Sequence, residues 1–238
     1  MASSALHDWS PMLAMGGGVT TAMLASKLIE RAGQHALSEA PEYKRKPGAF
    51  QKAKKDFGVD VGYVHGEGKD NAMFARKEEL REAANAGEDY SEHYRQLLQK
   101  ARAQGLVITS KGCRRPGVIE HELGHAIASK GSGLERFTQG AWAKGLSGLG
   151  SVGGLAAGVY AGATHGPLVG ALTGLGVAGL GNAPLIAGEV LAHRYGRELL
   201  PKNREGIDPT PFVGSYINAG VTAPTVAGAL MGLLGRKS

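Results

Sequence analysis

The sequence predicts a mainly α-helical protein that crosses a membrane several times and carries a small α+β soluble segment. Glycine accounts for 38 of the 238 residues and concentrates in long stretches without charge, and a His-Glu-x-x-His motif lies between two of those stretches. The expected order is an apolar span at 1–26, a soluble segment at 27–144, a transmembrane hairpin at 145–188, a polar helix at 189–208 and an apolar span at 209–238.

The N-terminal span is expected to be retained, because residues 1–8 lack the basic flank of a secretory signal. A basic run from Lys44 to Lys55 follows and is interpreted as a solvated linker, with attraction to anionic lipid heads as the alternative. Nucleic acid is an unlikely partner, because no aromatic pattern interleaves the charge. Strands are predicted at 61–64 and 106–109 and helices at 71–84 and 90–104. The strand at 106–109 is expected to offer an edge to an extended peptide substrate.

The motif His121-Glu122-x-x-His125 is expected on a helix at 117–130. Two imidazoles four residues apart face the same side of a helix and can share one zinc ion, and the carboxylate of Glu122 can reach a water bound to that ion. Apolar neighbours predict one dry face against a core and one wet face at the metal. The motif therefore predicts Zn²⁺ as cofactor, His121 and His125 as ligands, and Glu122 as the general base of a hydrolase.

The hairpin at 145–188 is long enough for two crossings of about 20 residues each. Small residues recur at every fourth position in both halves. Such ridges let helix backbones approach closely in lipid, where hydrophobicity does not drive association. The pattern predicts a glycine-zipper hairpin with the bilayer as partner, and the ridges also offer a surface for a homo-oligomer. These residues are Gly150, Gly154, Gly158 and Gly162, then Gly166, Gly170, Gly174 and Ala178.

A catalytic zinc ion usually takes three protein ligands and keeps a fourth place for water. Gly131, six residues after His125, supplies none. Glu135 is within reach along the chain but follows a Gly-Ser-Gly break. Glu189 is the stronger candidate because the hairpin returns to the zinc side there, which makes 189–208 the third-ligand helix.

The order of a His-Glu-x-x-His helix, a hydrophobic hairpin and a helix beginning Glu-x-x-Ala-x-Arg-x-Gly resembles the integral-membrane gluzincins, the zincins that include the HtpX heat-shock protease and the CAAX prenyl protease. The similarity covers residues 118–196. It implies that His121, His125 and Glu189 are ligands and that Glu122 is the general base.

The chain departs from this family at His193, where the family has an aspartate that orients a zinc-bound histidine. A neutral imidazole can accept the same hydrogen bond. Alternatively, His193 fills the fourth zinc position and closes the site, and the metal is then structural. Arg194 and Tyr195, next along the helix, are candidates for stabilising an oxyanion.

The distribution of charge predicts which side of the membrane carries the zinc site. Of the 27 Lys and Arg residues, 21 lie in 27–144 and four in 189–208, whereas only Arg236 and Lys237 lie on the opposite side of a four-span topology. By the positive-inside tendency, the zinc site faces the cytoplasm.

Together these features predict a membrane-embedded zinc metalloendopeptidase that cleaves peptide bonds of membrane or membrane-proximal proteins. The alternative is a non-enzymatic glycine-zipper protein that forms a pore or scaffold, such as a component of a phage particle or a secretion machine. In that case the His-Glu-x-x-His motif is structural or vestigial.

Overall fold

The structure is a computed structural model that describes residues 12–21, 23–24, 48–66, 72–86, 91–110, 117–200 and 217–234. It is mainly helical with a three-stranded sheet, as the sequence predicts. The chain divides into two compact units. The mixed unit comprises Leu37–Gln139 and Gly188–Pro209, and the helical unit comprises Met1–Ala36, Gly140–Ala187 and Thr210–Ser238.

The elements follow in chain order: α1 (residues 12–21), α2 (Gly48–Phe57), β1 (Val61–Gly66), β2 (Ala72–Arg76), α3 (Lys77–Asn85), α4 (Ser91–Lys100), β3 (Gly105–Ser110), α5 (Val118–Lys130), α6 (Gly133–Thr138), α7 (Ala141–His165), α8 (Pro167–Leu199), a π-helical turn (Asn218–Thr222) and α9 (Ala223–Leu234).

The sheet has the strand order β1-β3-β2, with β1 parallel and β2 antiparallel to β3. The strands predicted at 61–64 and 106–109 are confirmed as β1 and β3. However, β3 is the central strand and both of its sides are paired, so the prediction that it offers an edge to a peptide is wrong. The sheet edge nearest the motif helix belongs to β2, a strand that the sequence does not predict.

The helix predicted at 71–84 is wrong in its first half. Residues 72–76 form β2 and only Lys77–Asn85 are helical. The segment Ala72-Met73-Phe74-Ala75 has no β-branched residue, and local propensity does not favour a strand there. Pairing with β3 and a hydrogen bond from the Phe74 amide to Glu122 on α5 hold it extended, so tertiary contacts override propensity.

Alternating residues of β3 supply the two cores of the mixed unit. Val107 packs with Val59 and Val61 against α2 and α5. Leu106 points to the opposite face and packs with Leu80 and Ala75 near α3 and α4. This alternation is what a strand covered on both faces requires. The motif helix α5 therefore lies directly on the sheet.

Helix α5 begins after Gly117, whose φ of 80° favours glycine, and ends before Gly131, as predicted. Ile119, Leu123 and Ile127 pack into the core on the sheet side. The prediction of one dry face and one wet face is wrong, because most of the helix is buried, including both His121 and Glu122. Helix α8 packs against the side of α5 that faces away from the sheet, within the mixed unit.

The helical unit packs through its glycines. A Cβ placed on Gly150 would lie 2.5 Å from the Cα of Gly181, and one on Gly162 would lie 2.2 Å from the Gly228 carbonyl oxygen. The α7 ridge therefore contacts α8 and α9 backbone to backbone, with no room for a side chain. These ridge positions pack within the chain itself, and the homo-oligomer remains a prediction.

A polar cluster lies inside this glycine packing. Asn182 is buried, and its Nδ2 donates to the Ala178 carbonyl at 2.8 Å and to the Ser151 hydroxyl at 3.2 Å. The Ser147 hydroxyl donates to Asn182 Oδ1 at 2.6 Å. Hydrogen bonds of this kind hold helices in register where no water competes.

Within the described residues, α7 and α8 are long and apolar enough to cross a membrane, with mean hydropathies of 1.2 and 1.4. The apolar helix at Gly220–Leu234 is shorter, and most of 1–26 lies outside the described residues. Two of the four predicted spans thus have a matching helix. Helix α8 runs without a break into the predicted third-ligand segment, and only its residues from Gly188 onward belong to the mixed unit.

We expect Gly170→Ala to destabilise the helical unit by about 1–3 kcal/mol, because its Cβ would overpack a tight interior. That atom would lie 2.4 Å from the Gly228 carbonyl oxygen and 2.6 Å from the Gly162 Cα. Gly176→Ala on the same helix is the matched control, since nothing lies within 4 Å of its Cβ. Thermal unfolding in detergent, followed by circular dichroism, compares the two. Equal stability of the two variants would contradict the glycine packing.

Candidate metal centre

Glu189 of α8 lies beside both imidazoles of the α5 motif. Its Oε2 is 3.1 Å from Nε2 of His121 and 3.6 Å from Nε2 of His125. The two rings are 4.8 Å apart between centroids and nearly perpendicular, at 89°. Each of the three side chains offers one possible ligand atom, and these three atoms all lie within 4.8 Å of one another. The three residues form a buried cluster that can hold a metal ion.

The distances from Glu189 to the two imidazoles fit the spacing of ligands around a tetrahedral ion. Metal–ligand bonds of about 2.0–2.2 Å at tetrahedral angles place neighbouring donor atoms about 3.3–3.5 Å apart. The two measured nitrogen–oxygen distances, 3.1 and 3.6 Å, bracket that value. The third pair, between the two imidazoles, lies within 4.8 Å, so binding an ion requires the two rings to draw closer by about 1 Å.

The carboxylate of Glu122 lies next to this cluster and is anchored from the sheet. Its Oε2 accepts the backbone N–H of Phe74 on β2 at 2.8 Å. Burial raises the pKa of Glu122, against the opposing effects of His125, His121 and the Phe74 N–H. A glutamate in this environment accepts a proton more readily near neutral pH than an exposed one.

The two helices that carry the ligands meet backbone to backbone. A Cβ on Gly124 would lie 1.9 Å from the Ala192 carbonyl oxygen, and one on Gly196 would lie 2.8 Å from the Glu120 carbonyl oxygen. Gly124 occupies a middle position of the motif, and Gly196 follows Glu189 by two helical turns. These two glycines bring α5 and α8 close enough for Glu189 to reach the paired imidazoles.

His125 is supported on its other side by Gln139, at the C-terminal end of α6. Nδ1 of His125 is 2.8 Å from Oε1 of Gln139. The amide nitrogen of Gln139 donates to the Gly188 carbonyl at 3.1 Å. Burial disfavours the charged form of His125, but the hydrogen bond and charge of Glu189 and the charge of Glu122 more than offset it and raise the pKa of His125 to about 9.

His193 is not one of the three residues of the cluster. It lines a small pocket together with His121, Gly196 and Arg197. The two roles that the sequence leaves open for His193, orientation of a ligand histidine and a fourth ligand position, both remain predictions.

The structure places Tyr195 and Glu135 together, and neither belongs to the cluster. The Tyr195 hydroxyl donates to Oε1 of Glu135, and its ring packs edge-on against Phe57 at 5.9 Å between centroids. The other carboxylate oxygen of Glu135 accepts the Ser132 N–H at 2.7 Å and caps α6. Glu135 is therefore committed elsewhere, which leaves Glu189 as the third candidate ligand. Arg194 is exposed, and its charge helps lower the pKa of Glu135 after the larger effects of the Tyr195 and Ser132 hydrogen bonds.

Sequence reasoning missed the residues that hold the cluster in place. Gln139 and Phe74 act through a side-chain amide and a backbone N–H, and neither belongs to a motif. Gly124 and Gly196 were visible as glycines in helices, where they cost about 1 kcal/mol relative to alanine. A glycine kept in a helix despite this cost was the sequence feature that indicated a close helix contact.

Models of protein families, curated proteins and solved structures were compared with the chain, and none matched.

We expect Gly124→Ala to destabilise the mixed unit by at least about 1–3 kcal/mol and to abolish metal binding, because a methyl group in this contact forces α8 away from α5. Gly133→Ala is the control, since nothing lies within 4 Å of its Cβ. Unfolding and zinc titration of both variants test this. A Gly124→Ala variant that binds zinc like the wild type would contradict the close contact as the support of Glu189.

We expect metal affinity to depend on pH because an ion must displace the proton that His125 holds up to a pKa of about 9. Below that pH the apparent affinity falls about tenfold per unit, and above it the dependence levels off. Competition with a chromophoric chelator between about pH 6 and pH 8.5 measures the slope. A flat profile would contradict the raised pKa of His125.

Proposed function

We propose that the chain is a membrane-embedded zinc metalloendopeptidase that hydrolyses peptide bonds of membrane or membrane-proximal proteins. The observation that carries the proposal is the convergence of Glu189 on His121 and His125, next to the carboxylate of Glu122. Three ligands from two helices leave one tetrahedral position free, as catalytic zinc sites require.

Zinc is the ion that best suits this ligand set. Two neutral imidazoles and one carboxylate form the usual ligand set of zinc hydrolases, whereas magnesium and calcium prefer oxygen ligands. The ligands would be Nε2 of His121, Nε2 of His125 and a carboxylate oxygen of Glu189. Zinc held there supplies Lewis acidity to a scissile carbonyl and to an attacking water.

Glu122 would carry the proton during hydrolysis. Its carboxylate would take a proton from the attacking water and later pass it to the leaving amine, so the carboxylate is regenerated at each turnover. Because the pKa of Glu122 is raised, its carboxylate accepts a proton more readily near neutral pH. The Phe74 N–H fixes one carboxylate oxygen and leaves the other for this transfer.

The outer edge of β2 is the surface we propose for the peptide substrate. β2 pairs with β3 on one side only among the described strands. An extended peptide can add to such an edge through backbone hydrogen bonds. Because Phe74 on β2 also contacts Glu122, a peptide bound there would lie close to the general base.

The exposed side chains of the helical unit support a membrane location. Glycines fill its interior, while large apolar side chains point outward, which is the reverse of a soluble helical bundle. Leu149 is 73% exposed, Tyr160 71% and Leu180 79%. We propose that these faces contact lipid, and the clustering of Lys and Arg in 27–144 and 189–208 supports a cytoplasmic site.

We further propose that the chain is related to the integral-membrane gluzincins. The order of motifs and the position of Glu189 beside both imidazoles support the relation. In the competing proposal, a glycine-zipper scaffold, the same ion is structural. The glycine-to-glycine contacts of α7, α8 and α9 agree with the scaffold as well as with the peptidase. A peptide-cleavage assay distinguishes the two proposals.

We expect Glu122→Gln to keep zinc and to lower peptide cleavage about 10²- to 10⁴-fold, because the amide removes the general base and leaves the ligands intact. The purified protein is tested in detergent on an unfolded protein substrate, with zinc content measured in parallel. Glu82→Gln, on the exposed side of α3, is the matched control.

Glu189→Ala should lose zinc and activity together. A wild-type protein that holds zinc yet cleaves nothing would favour the scaffold. A Glu122→Gln variant as active as the wild type would contradict the hydrolytic mechanism.

A further inference from the structure

Gln139 contacts both ligand-bearing helices through one side chain. Its Oε1 is 2.8 Å from Nδ1 of His125 on α5, and its Nε2 is 3.1 Å from the carbonyl oxygen of Gly188, which directly precedes Glu189 on α8. A second contact joins Nε2 to the Thr138 hydroxyl at 3.4 Å. No motif includes this residue.

The two partners of the amide nitrogen fix which way the amide faces. The Gly188 carbonyl can only accept a hydrogen bond. The Thr138 hydroxyl donates its own proton to the Glu135 carbonyl at 2.7 Å, so toward Gln139 it also accepts. The NH₂ group must therefore face these two oxygens, and Oε1 must face His125. The reversed amide would set two acceptors against each other at Gly188.

The direction of the amide determines the tautomer of His125. Because Oε1 accepts, Nδ1 of His125 must carry the hydrogen. The lone pair of the neutral ring is then on Nε2, the nitrogen that lies 3.6 Å from Glu189. Partners on the far nitrogen of a ligand histidine commonly set its tautomer and orientation in this way.

The close approach of Gly188 holds the amide in position. A Cβ on Gly188 would lie 3.0 Å from Nε2 of Gln139 and 3.0 Å from the Thr138 carbonyl oxygen. The absence of a side chain at 188 lets the α8 backbone lie against the end of α6. The same amide thus joins the helix of His125 to the first turn of the segment that carries Glu189.

We propose that Gln139 is a positioning residue of the metal centre, which selects the Nδ1–H tautomer of His125 and ties that ligand to the backbone next to Glu189. The inference rests on the proposed zinc site. Gln139 acts through the ligand that it orients.

Substitutions of Gln139 separate the two parts of this role. Gln139→Leu removes the acceptor and the donor, and zinc affinity is expected to fall about 10- to 100-fold. Gln139→Glu keeps an acceptor for the Nδ1–H but loses the donor to Gly188, so its affinity is expected to fall less than that of Gln139→Leu. Gln96→Leu, at an exposed position of α4, is the control for the loss of an amide.

The experiment is zinc competition titration of the full chain in detergent, with long-range ¹H–¹⁵N spectra of the zinc-loaded histidines. The wild type and Gln139→Glu should show a His125 ring bound through Nε2 with hydrogen on Nδ1, and Gln139→Leu should lose that single pattern. Thermal unfolding identifies variants that fail to fold. If Gln139→Leu is misfolded, the comparison of Gln139→Glu with the wild type tests the inference.

The outcomes distinguish the inference from the function on which it rests. A wild-type chain that binds no zinc overturns the proposed function and the inference with it. If the wild type binds zinc, two results overturn the inference alone. One is a Gln139→Leu variant with unchanged zinc affinity and an unchanged ring pattern. The other is a folded Gln139→Glu variant that loses the Nδ1–H pattern.

Discussion

The contact between the backbones of α5 and α8 makes the metal centre possible. At Gly124 the Ala192 carbonyl occupies the space that any side chain would need, and at Gly196 the α5 backbone does the same. A helix pair held this closely can bring a carboxylate from one helix onto two imidazoles of the other. If either glycine carried a side chain, Glu189 would lie farther from both rings, and the three ligands would not converge.

The mixed unit supplies the rest of the site from several directions. The sheet side of α5 packs into an apolar core, which fixes the helix against β1 and β3. The edge strand β2 anchors Glu122 through the Phe74 N–H. The end of α6 provides Gln139 behind His125. The base and one ligand are therefore each held by a polar group outside the motif, and this is how buried polar side chains keep a defined orientation.

The His-Glu-x-x-His helix and its end at Gly131, the strands β1 and β3, and the approach of Glu189 to the motif could be predicted from the sequence. Periodicity, a glycine stop and ligand spacing are local features. The strand at Ala72–Arg76 could not be predicted, because its extended form depends on pairing with β3 and on a partner in α5. Gln139 and the central place of β3 likewise follow from three-dimensional contacts that leave no trace in residue order.

X-ray absorption at the zinc edge of the zinc-loaded chain examines the ligand set itself. The account predicts two imidazole nitrogens at about 2.0–2.1 Å, with one carboxylate oxygen and one solvent oxygen at similar distance. Because Glu189→Ala is expected to lose zinc, this variant should not give the same spectrum after the same zinc loading, and that result would identify Glu189 as the third ligand. A spectrum with three imidazoles, or one that Glu189→Ala leaves unchanged, would contradict the account.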